Sequence, residues 1–404
     1  MKLLLKQLHG DKVIWFVVFL LSVFSLLAVY SSTGTLAYKY QQGNTEYYLL
    51  KHFSILVTGL GLMYFAHLVD YRYYSRISQL LLYLSIPLLI LTYFIGTEIN
   101  SADRWITLPI INLTFQTSDL AKLALIMFLA RVISKKQDII HDFKNAFIPV
   151  ILPVVVICLL IAPANLSTAL MLFTTSVLIM FIGRIKVAHI AAMGGIMLVS
   201  LALMIFILVK TTENNRVATW VNRIEAQYFT DADDAEPYQV VQSKIAIAKG
   251  GIFGNGPGNS HQRNFLPHPY SDMIYSIIIE EYGLIGGAFV VFLYLLFLFR
   301  AIKIVVKTPN AFGGLLAVGL SISLVLQAMI NMAVAVNLVP VTGQTLPLVS
   351  MGGTSLFFTS ISVGIILSVS REAEMPKENK DAPAEKPEAK EPPKEKQDSF
   401  EIAN

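Results

Sequence analysis

The pentad Ser271-Asp272-Met273-Ile274-Tyr275 sets a carboxylate at the head of a long apolar run. Such a group serves either of two chemistries. Asp and Ser just before a helix cap its first turn and suit the positive end of its dipole. A half-desolvated carboxylate is equally placed to act as a general base on a substrate arriving in the outer leaflet. Upstream, residues 250–260 read Gly-Gly-Ile-Phe-Gly-Asn-Gly-Pro-Gly-Asn-Ser, a cluster that supplies turns and close backbone approach. No strand precedes it, so it is not a dinucleotide fingerprint. The stretch Gln242 to Ala248 before it predicts a short amphipathic helix lying at an interface.

Other ionisable residues fall where hydrocarbon tolerates them poorly. Glu280 and Glu281 follow Asp272 by eight and nine residues, about 12–14 Å along a helix. Charges at that depth face a bundle interior or a wet cavity. Asp119 and Lys122, three apart, share a helix face and suit an ion pair, although Lys122 is also available to neutralise a glutamate. A buried network fixing helix register and a proton path both fit these four residues. Arg104 offers a planar fork to a phosphate or diphosphate, and Trp105 belongs at headgroup level as a contact or a plain interface anchor. Lys51, Arg216, Lys244 and Arg263 are further cations able to steady an anionic headgroup.

These residues must be positioned by a membrane fold. Of 404 residues, 55% are hydrophobic and 14% charged, against about 25% charged in soluble domains. Ten apolar runs stand out, at 13–32, 48–69, 77–96, 117–134, 146–163, 165–183, 187–209, 272–299, 311–333 and 351–370. Most approach the ~20 residues of a spanning helix, far too long for barrel strands. The chain therefore predicts an all-α polytopic membrane protein of about ten transmembrane helices, its first run a retained helix rather than a cleaved leader. Thirteen Lys or Arg lie in one set of short connections and two, Lys39 and Arg104, in the other. The positive-inside rule then puts both termini in the cytoplasm and loops 33–47, 97–115, 210–271 and 334–350 outside. The loop 210–271, between helices 7 and 8, exceeds ordinary connection lengths and reads as functional.

Residues 1–370 form the membrane domain. Residues 371–404 hold ten acidic residues, seven basic and five Pro, too little apolar surface to fold, and predict a disordered cytoplasmic tail. Without the tail the body has 24 basic and 17 acidic residues, a net +7. The single Cys158 excludes an intrachain disulfide and multi-cysteine metal or redox chemistry.

Several motifs together resemble the SEDS family of cell-wall polymerases (shape, elongation, division and sporulation), and its FtsW-type division branch more than its RodA-type elongation branch. They are Gly256-Pro-Gly-Asn-Ser260-His-Gln262-Arg263, Phe265-Leu-Pro267 with Asp272, and Glu280-Glu281-Tyr-Gly283-Leu-Ile-Gly286. The last outer loop adds Pro340-Val-Thr342-Gly343, Leu346-Pro347, Ser350 and Gly352-Gly353-Thr-Ser355. The chain departs from the family pattern in having one arginine, Arg104, before Trp105, Asp119 where glutamate is usual, and Ala164-Asn165-Leu166-Ser167 in place of Pro-Asp-x-Gly.

The resemblance implies an inverting peptidoglycan glycosyltransferase that joins lipid II units (undecaprenyl-diphosphate-linked disaccharide peptide) at the outer face of the cytoplasmic membrane during division. It implies Asp272 as the catalytic base, with Arg104, Trp105, Lys244, Ser260, Gln262, Arg263, Pro267, Thr342 and Ser350 as substrate contacts. A diphosphate leaving group needs charge stabilisation more than protonation, so one carboxylate suffices, with cations or a divalent metal such as Mg or Mn holding the charge. The implied partners are a class B penicillin-binding protein, other division proteins and membrane lipid, with no nucleic acid. A lipid II transporter, an elongation polymerase and a division scaffold are the alternatives.

Overall fold

Each of the ten apolar runs forms a helix in the computed structural model, which describes residues 9–99, 102–108, 113–211, 220, 221, 223 and 238–374. At 97–99, 102–104, 107, 108, 113, 207–211 and 374 it describes the backbone alone. In chain order the helices are α1 (Lys12–Ser32), the short α2 (Gly34–Tyr40), α3 (Thr45–Leu68) and α4 (Tyr71–Ile95). After a small sheet come α5 (Thr117–Lys135), α6 (Ile148–Ile161, entered through a π-turn at Phe143–Phe147), α7 (Leu166–Ile182) and α8 (Val187–Thr211). The chain ends with α9 (Tyr238–Gly250), α10 (Ile274–Lys307), α11 (Ala311–Ala335) and α12 (Thr354–Glu374).

Eight of these segments are long and apolar enough to cross a bilayer. The other two are α7, at 17 residues, and α5, which carries Asp119, Lys122, Arg131 and Lys135. Large apolar side chains such as Phe16, Phe19, Leu80, Leu198 and Val306 point outward, the reverse of a soluble protein and the arrangement lipid rewards. The most enclosed helices are α11 and α12, which form the centre of the bundle.

The basic connections gather at one end. The Asp11 carboxylate caps α1 through Val13 and Ile14 and pairs with Arg300, while the Asp11 N–H donates to Ser370. Arg72 pairs with Glu372, and Arg371 donates to the Leu68 carbonyl. The opposite end, called the outer end after the orientation expected from the basic bias, collects the 33–47, 250–272 and 337–353 segments.

Three expectations change. The loop 97–115 holds an antiparallel sheet, β1 (Thr97–Ile99), β2 (Ala102–Leu108) and β3 (Leu113–Gln116), in the order β1-β2-β3, so the helical membrane fold carries one β-meander in a connection expected to be a plain loop. Its Trp, Ile, Thr and Phe residues favour a pleated surface over a short helix. The amphipathic helix is longer than 242–248, and instead of lying free at an interface it buries Val240, Ser243, Ala246 and Gly250 as one stripe against α10. The eighth span runs past 299 to Lys307, because Arg300 and Lys303 extend polar heads from apolar stems without breaking a helix. Helix α12 likewise continues four residues past 370, and the remainder of the tail lies outside the described residues.

Candidate active site

Asp272 sits one residue before the cap of α10. That cap is Met273, which provides no side-chain hydrogen bond, so the capping role open to Asp272 in the sequence is not taken. Its half-buried carboxylate receives one long bond, from Gln239 Nε2 to Oδ2 at 3.5 Å, and among the described residues Oδ1 is buried without a partner. Burial pushes its pKa up from the ordinary carboxylate value, opposed by its own backbone N–H, His268, the Gln239 bond and Arg223. An acceptor oxygen left unpaired has spare capacity for a substrate hydroxyl. Tyr270 lies close by; its phenol is raised by burial first and then by the Asp272 charge.

The backbone around this carboxylate is tied down from two sides. Asn331 on α11 donates through Nδ2 to the Asp272 carbonyl at 2.8 Å and to the Gln344 carbonyl at 2.7 Å. One turn earlier, Gln327 donates to the Thr345 carbonyl at 3.0 Å. Ser350 donates to the Ser271 carbonyl at 2.5 Å while accepting from Leu346 N–H at 2.8 Å, and Met351 N–H reaches the Tyr270 carbonyl at 2.9 Å. Ser350 is thus a strap between the last outer loop and the Asp272 strand. Arg223 closes the same region by donating to the Val341 carbonyl at 3.1 Å. Next to it, the Thr342 hydroxyl oxygen is buried with no partner among the described residues.

Beneath Asp272 the helix breaks. Gly283 adopts φ 70°, ψ −175°, a conformation open to glycine, and a Cβ there would lie 2.1 Å from the Ile252 carbonyl. The break strands backbone groups at membrane depth, which must be satisfied within the protein. The glycine cluster supplies the partners. Asn255 and Gly256 donate to the Glu280 and Glu281 carbonyls at 3.0 and 2.9 Å, and Leu284 and Ile285 donate to Gly251 and Ile252 at 2.9 and 3.3 Å. Gly254 is required at this crossing, since its Cβ would meet the Glu281 carbonyl at 2.2 Å.

The two glutamates hold the rest of this re-entrant loop. Glu280 accepts from the backbone N–H of His261 at 3.0 Å, from that of Gln262 at 3.2 Å and from the Ser260 hydroxyl. Glu281 accepts from the Ser31 hydroxyl and from Ser260 N–H at 3.3 Å. Arg263 spans Ser31 and Gly258, donating to their carbonyls at 3.1 and 3.0 Å. Ser260 and Gln262, expected at the substrate, are buried in this clamp, although Gln262 Oε1 keeps an open lone pair among the described residues.

Lys122 does not reach the glutamates. It pairs with Asp119 at 3.1 Å and donates to Gln327 Oε1 at 2.9 Å, because both partners lie within a turn or across one helix contact. The cavity beside this pair has a volume of about 20 Å³, room for a single water. Lys244 and Pro267 are exposed on the outer side, as is Lys51, and Arg216 lies outside the described residues. Arg104 and Trp105 stand on β2, where Trp105 is half-buried opposite Gln116; the Arg104 side chain is outside the described residues. Asn165, where the family pattern has a carboxylate, caps α7 by accepting from Thr168 N–H at 3.2 Å. Among the described residues no group of three or more His, Cys, Asp or Glu side chains is arranged to hold a metal ion.

Sequence reasoning missed Gln239, Asn331, Gln327, Arg223, His268 and Ser31. A signal for two of them was present: Gln327 and Asn331 are polar residues four apart in an otherwise apolar run, hence on one helix face.

The FtsW/RodA/SpoVE family model, described as cell cycle protein, matches residues 11–375. The chain is 34% identical over 373 residues to a probable peptidoglycan glycosyltransferase FtsW of Geobacter sp. (strain M18), covering 91% of this chain and 98% of the relative. It is 32% identical to the stage V sporulation protein E of Bacillus subtilis (strain 168), with 91% and 98% covered. Among solved structures, a chain of a peptidoglycan synthase complex superposes with TM-score 0.65 at 24% identity over 91% of this chain and 99% of that one. The rod shape determining protein RodA of Thermus thermophilus superposes with TM-score 0.63 at 24% identity, covering 92% and 100%. These two likenesses establish a shared fold, and with the family match over most of its length the chain belongs to the SEDS family, on its FtsW-like side.

Proposed function

We propose that this multi-pass membrane protein is a peptidoglycan glycosyltransferase in which Asp272 is the general base. The observation that carries the mechanism is the state of that carboxylate: anchored through its backbone by Asn331, capping no helix, with Oδ1 buried and unpaired among the described residues. The acceptor sugar hydroxyl gives its proton to Asp272 as its oxygen attacks the anomeric carbon of the donor. The new carbon–oxygen bond forms on the face opposite the diphosphate, whose bond to that carbon breaks, so the configuration inverts. The Arg223 guanidinium, which acts on Asp272, would meet the charge on the departing diphosphate.

The substrate is a lipid-linked disaccharide of the lipid II type, used at the outer face of the cytoplasmic membrane, and the working partner is a class B penicillin-binding protein that crosslinks the strands. Likeness to FtsW relatives supports a place at the division septum over the lateral wall. A transporter needs a polar path, and the cavity at Asp119 and Lys122 admits one water rather than a sugar headgroup.

The test is polymerisation of lipid II by the purified protein with its partner in detergent, where no sidedness exists. The parent forms glycan strands; Asp272→Asn loses about 10²–10⁴-fold in rate and still copurifies with the partner. Strand formation by the Asn variant at the parental rate removes Asp272 as base. Absence of strands from the parent beside an active control favours transport.

A further inference from the structure

A groove of about 590 Å³ opens at the outer end between α2, the start of α3 and the re-entrant loop, and Asp272 is not among its lining residues. Thr35, Tyr38, Lys39, Thr45, Arg263 and Asn264 supply its polar lining, which includes two cations and no carboxylate. Arg263 is fixed in place by its bonds to Ser31 and Gly258 through Nη1, which leaves the other edge of the guanidinium unclaimed by those partners. Gly34 lies beside that edge without crowding it, since even a Cβ there would stand 4.0 Å from Arg263 Nε. Lys39 is exposed, its ammonium 5.3 Å from the Tyr40 ring centre, and so has the reach to close on a ligand. Thr45 is the first residue of the 24-residue α3, whose N-terminus adds positive potential.

The depth of the groove identifies the source of its anion. Tyr38, Tyr40 and Tyr47 are exposed around it, with Leu50 and Phe53 exposed just below on α3. Amphipathic rings above apolar side chains mark the headgroup layer. A phosphate held there belongs to a molecule whose tail lies in the membrane. Polymerisation brings together two such molecules, and the cation that acts on Asp272 is Arg223, whereas Lys39 and Arg263 open on this groove. The acceptor carries its reacting hydroxyl on the far sugar of a disaccharide, so its own diphosphate must rest some distance from the base.

We propose that the groove between Lys39 and Arg263 is the docking site for the diphosphate of the lipid-linked acceptor. This rests on the polymerase reading, and the experiment separates the two. The full-length protein with its partner is assayed for initial polymerisation rate against lipid-linked disaccharide, alongside binding of undecaprenyl diphosphate in nanodiscs with and without phosphatidylglycerol. Lys39→Glu and, from the opposite wall, Asn264→Asp are expected to raise KM about tenfold with kcat within twofold. Both should weaken undecaprenyl diphosphate binding to a similar degree, and Lys39→Arg should restore both values. Unchanged KM and unchanged diphosphate binding in both acidic variants overturn the proposal. Loss of undecaprenyl diphosphate binding by the parent when phosphatidylglycerol is present also overturns it, in favour of a general anionic-lipid site. If the parent makes no polymer, the polymerase reading fails while the binding measurement still reports on the groove.

Discussion

At the scale of the residue, Asp272 combines a cost with a use. Burial raises its pKa above the ordinary carboxylate value, so the folded state favours the protonated form. The sign follows by linkage: the stabilisation from this group is fully present below the ordinary carboxylate pKa and is lost as pH rises through the raised folded value. A base works only when ionised, so turnover moves the other way. Polymerisation is expected to climb with unit slope on the acid side and level off above the raised pKa. A profile with its acid limb at an unshifted carboxylate value would show that the working base is solvated. The same reasoning makes Asp272→Asn an inactive variant whose thermal unfolding midpoint at neutral pH is at or above that of the parent, because it removes an ionised, half-buried group. A clear loss of stability would give Asp272 a structural role instead.

At the scale of the element, the decisive feature is a helix interrupted at Gly283 and repaired by a loop. Four backbone bonds cross from 251–256 to α10, and two carboxylates then hold 260–262 by accepting from donors alone. This explains why adjacent glutamates sit at membrane depth with no lysine reaching them: their partners are N–H and O–H groups. Glu280→Gln turns an amide NH₂ toward donors, and each charged bond lost costs about 1.5–3 kcal/mol. The expected result is a lower unfolding midpoint, faster tryptic cleavage after Arg263, and reduced polymerisation. Parent-like resistance to trypsin would show that Glu280 does not hold the loop.

At the scale of the whole molecule, the two ends of the bundle are built differently. One is stapled by charge, with Asp11 joining α1 to Arg300 on α10 and Ser370 on α12, and Arg72 joined to Glu372. At the outer end neutral hydrogen bonds from Ser350, Asn331 and Gln327 to loop carbonyls join the last loop to the Asp272 segment, while Glu280, Glu281 and Arg263 hold the 258–262 backbone without forming an ion pair across the bundle such as Asp11 makes with Arg300. The fully buried face of α12 ends at Ser370. Ending the chain after Glu374 is therefore expected to leave the unfolding midpoint and polymerisation in detergent unchanged while septal recruitment in cells falls. Lost polymerisation in that truncation would place the tail in the enzyme rather than in recruitment.

The apolar helices were legible in the sequence because hydrocarbon imposes a one-dimensional rule: about twenty apolar residues per crossing, recoverable without knowing any neighbour. Asp272 was legible as a carboxylate at the mouth of a span. Whether it capped α10 was not, since that depended on where the helix begins, and the helix begins at Ile274. The sheet at 97–116 was hidden because its pairing is between strands rather than along them. Asp119 could be assigned to Lys122 from spacing, but the rivalry of the glutamates for that lysine was settled only by packing, which gave them Ser31 and the 260–262 backbone. Sequence thus determined which residues leave the lipid; the tertiary structure decided which of them meet, because hydrogen-bond partners far apart in the chain are chosen by how helices cross.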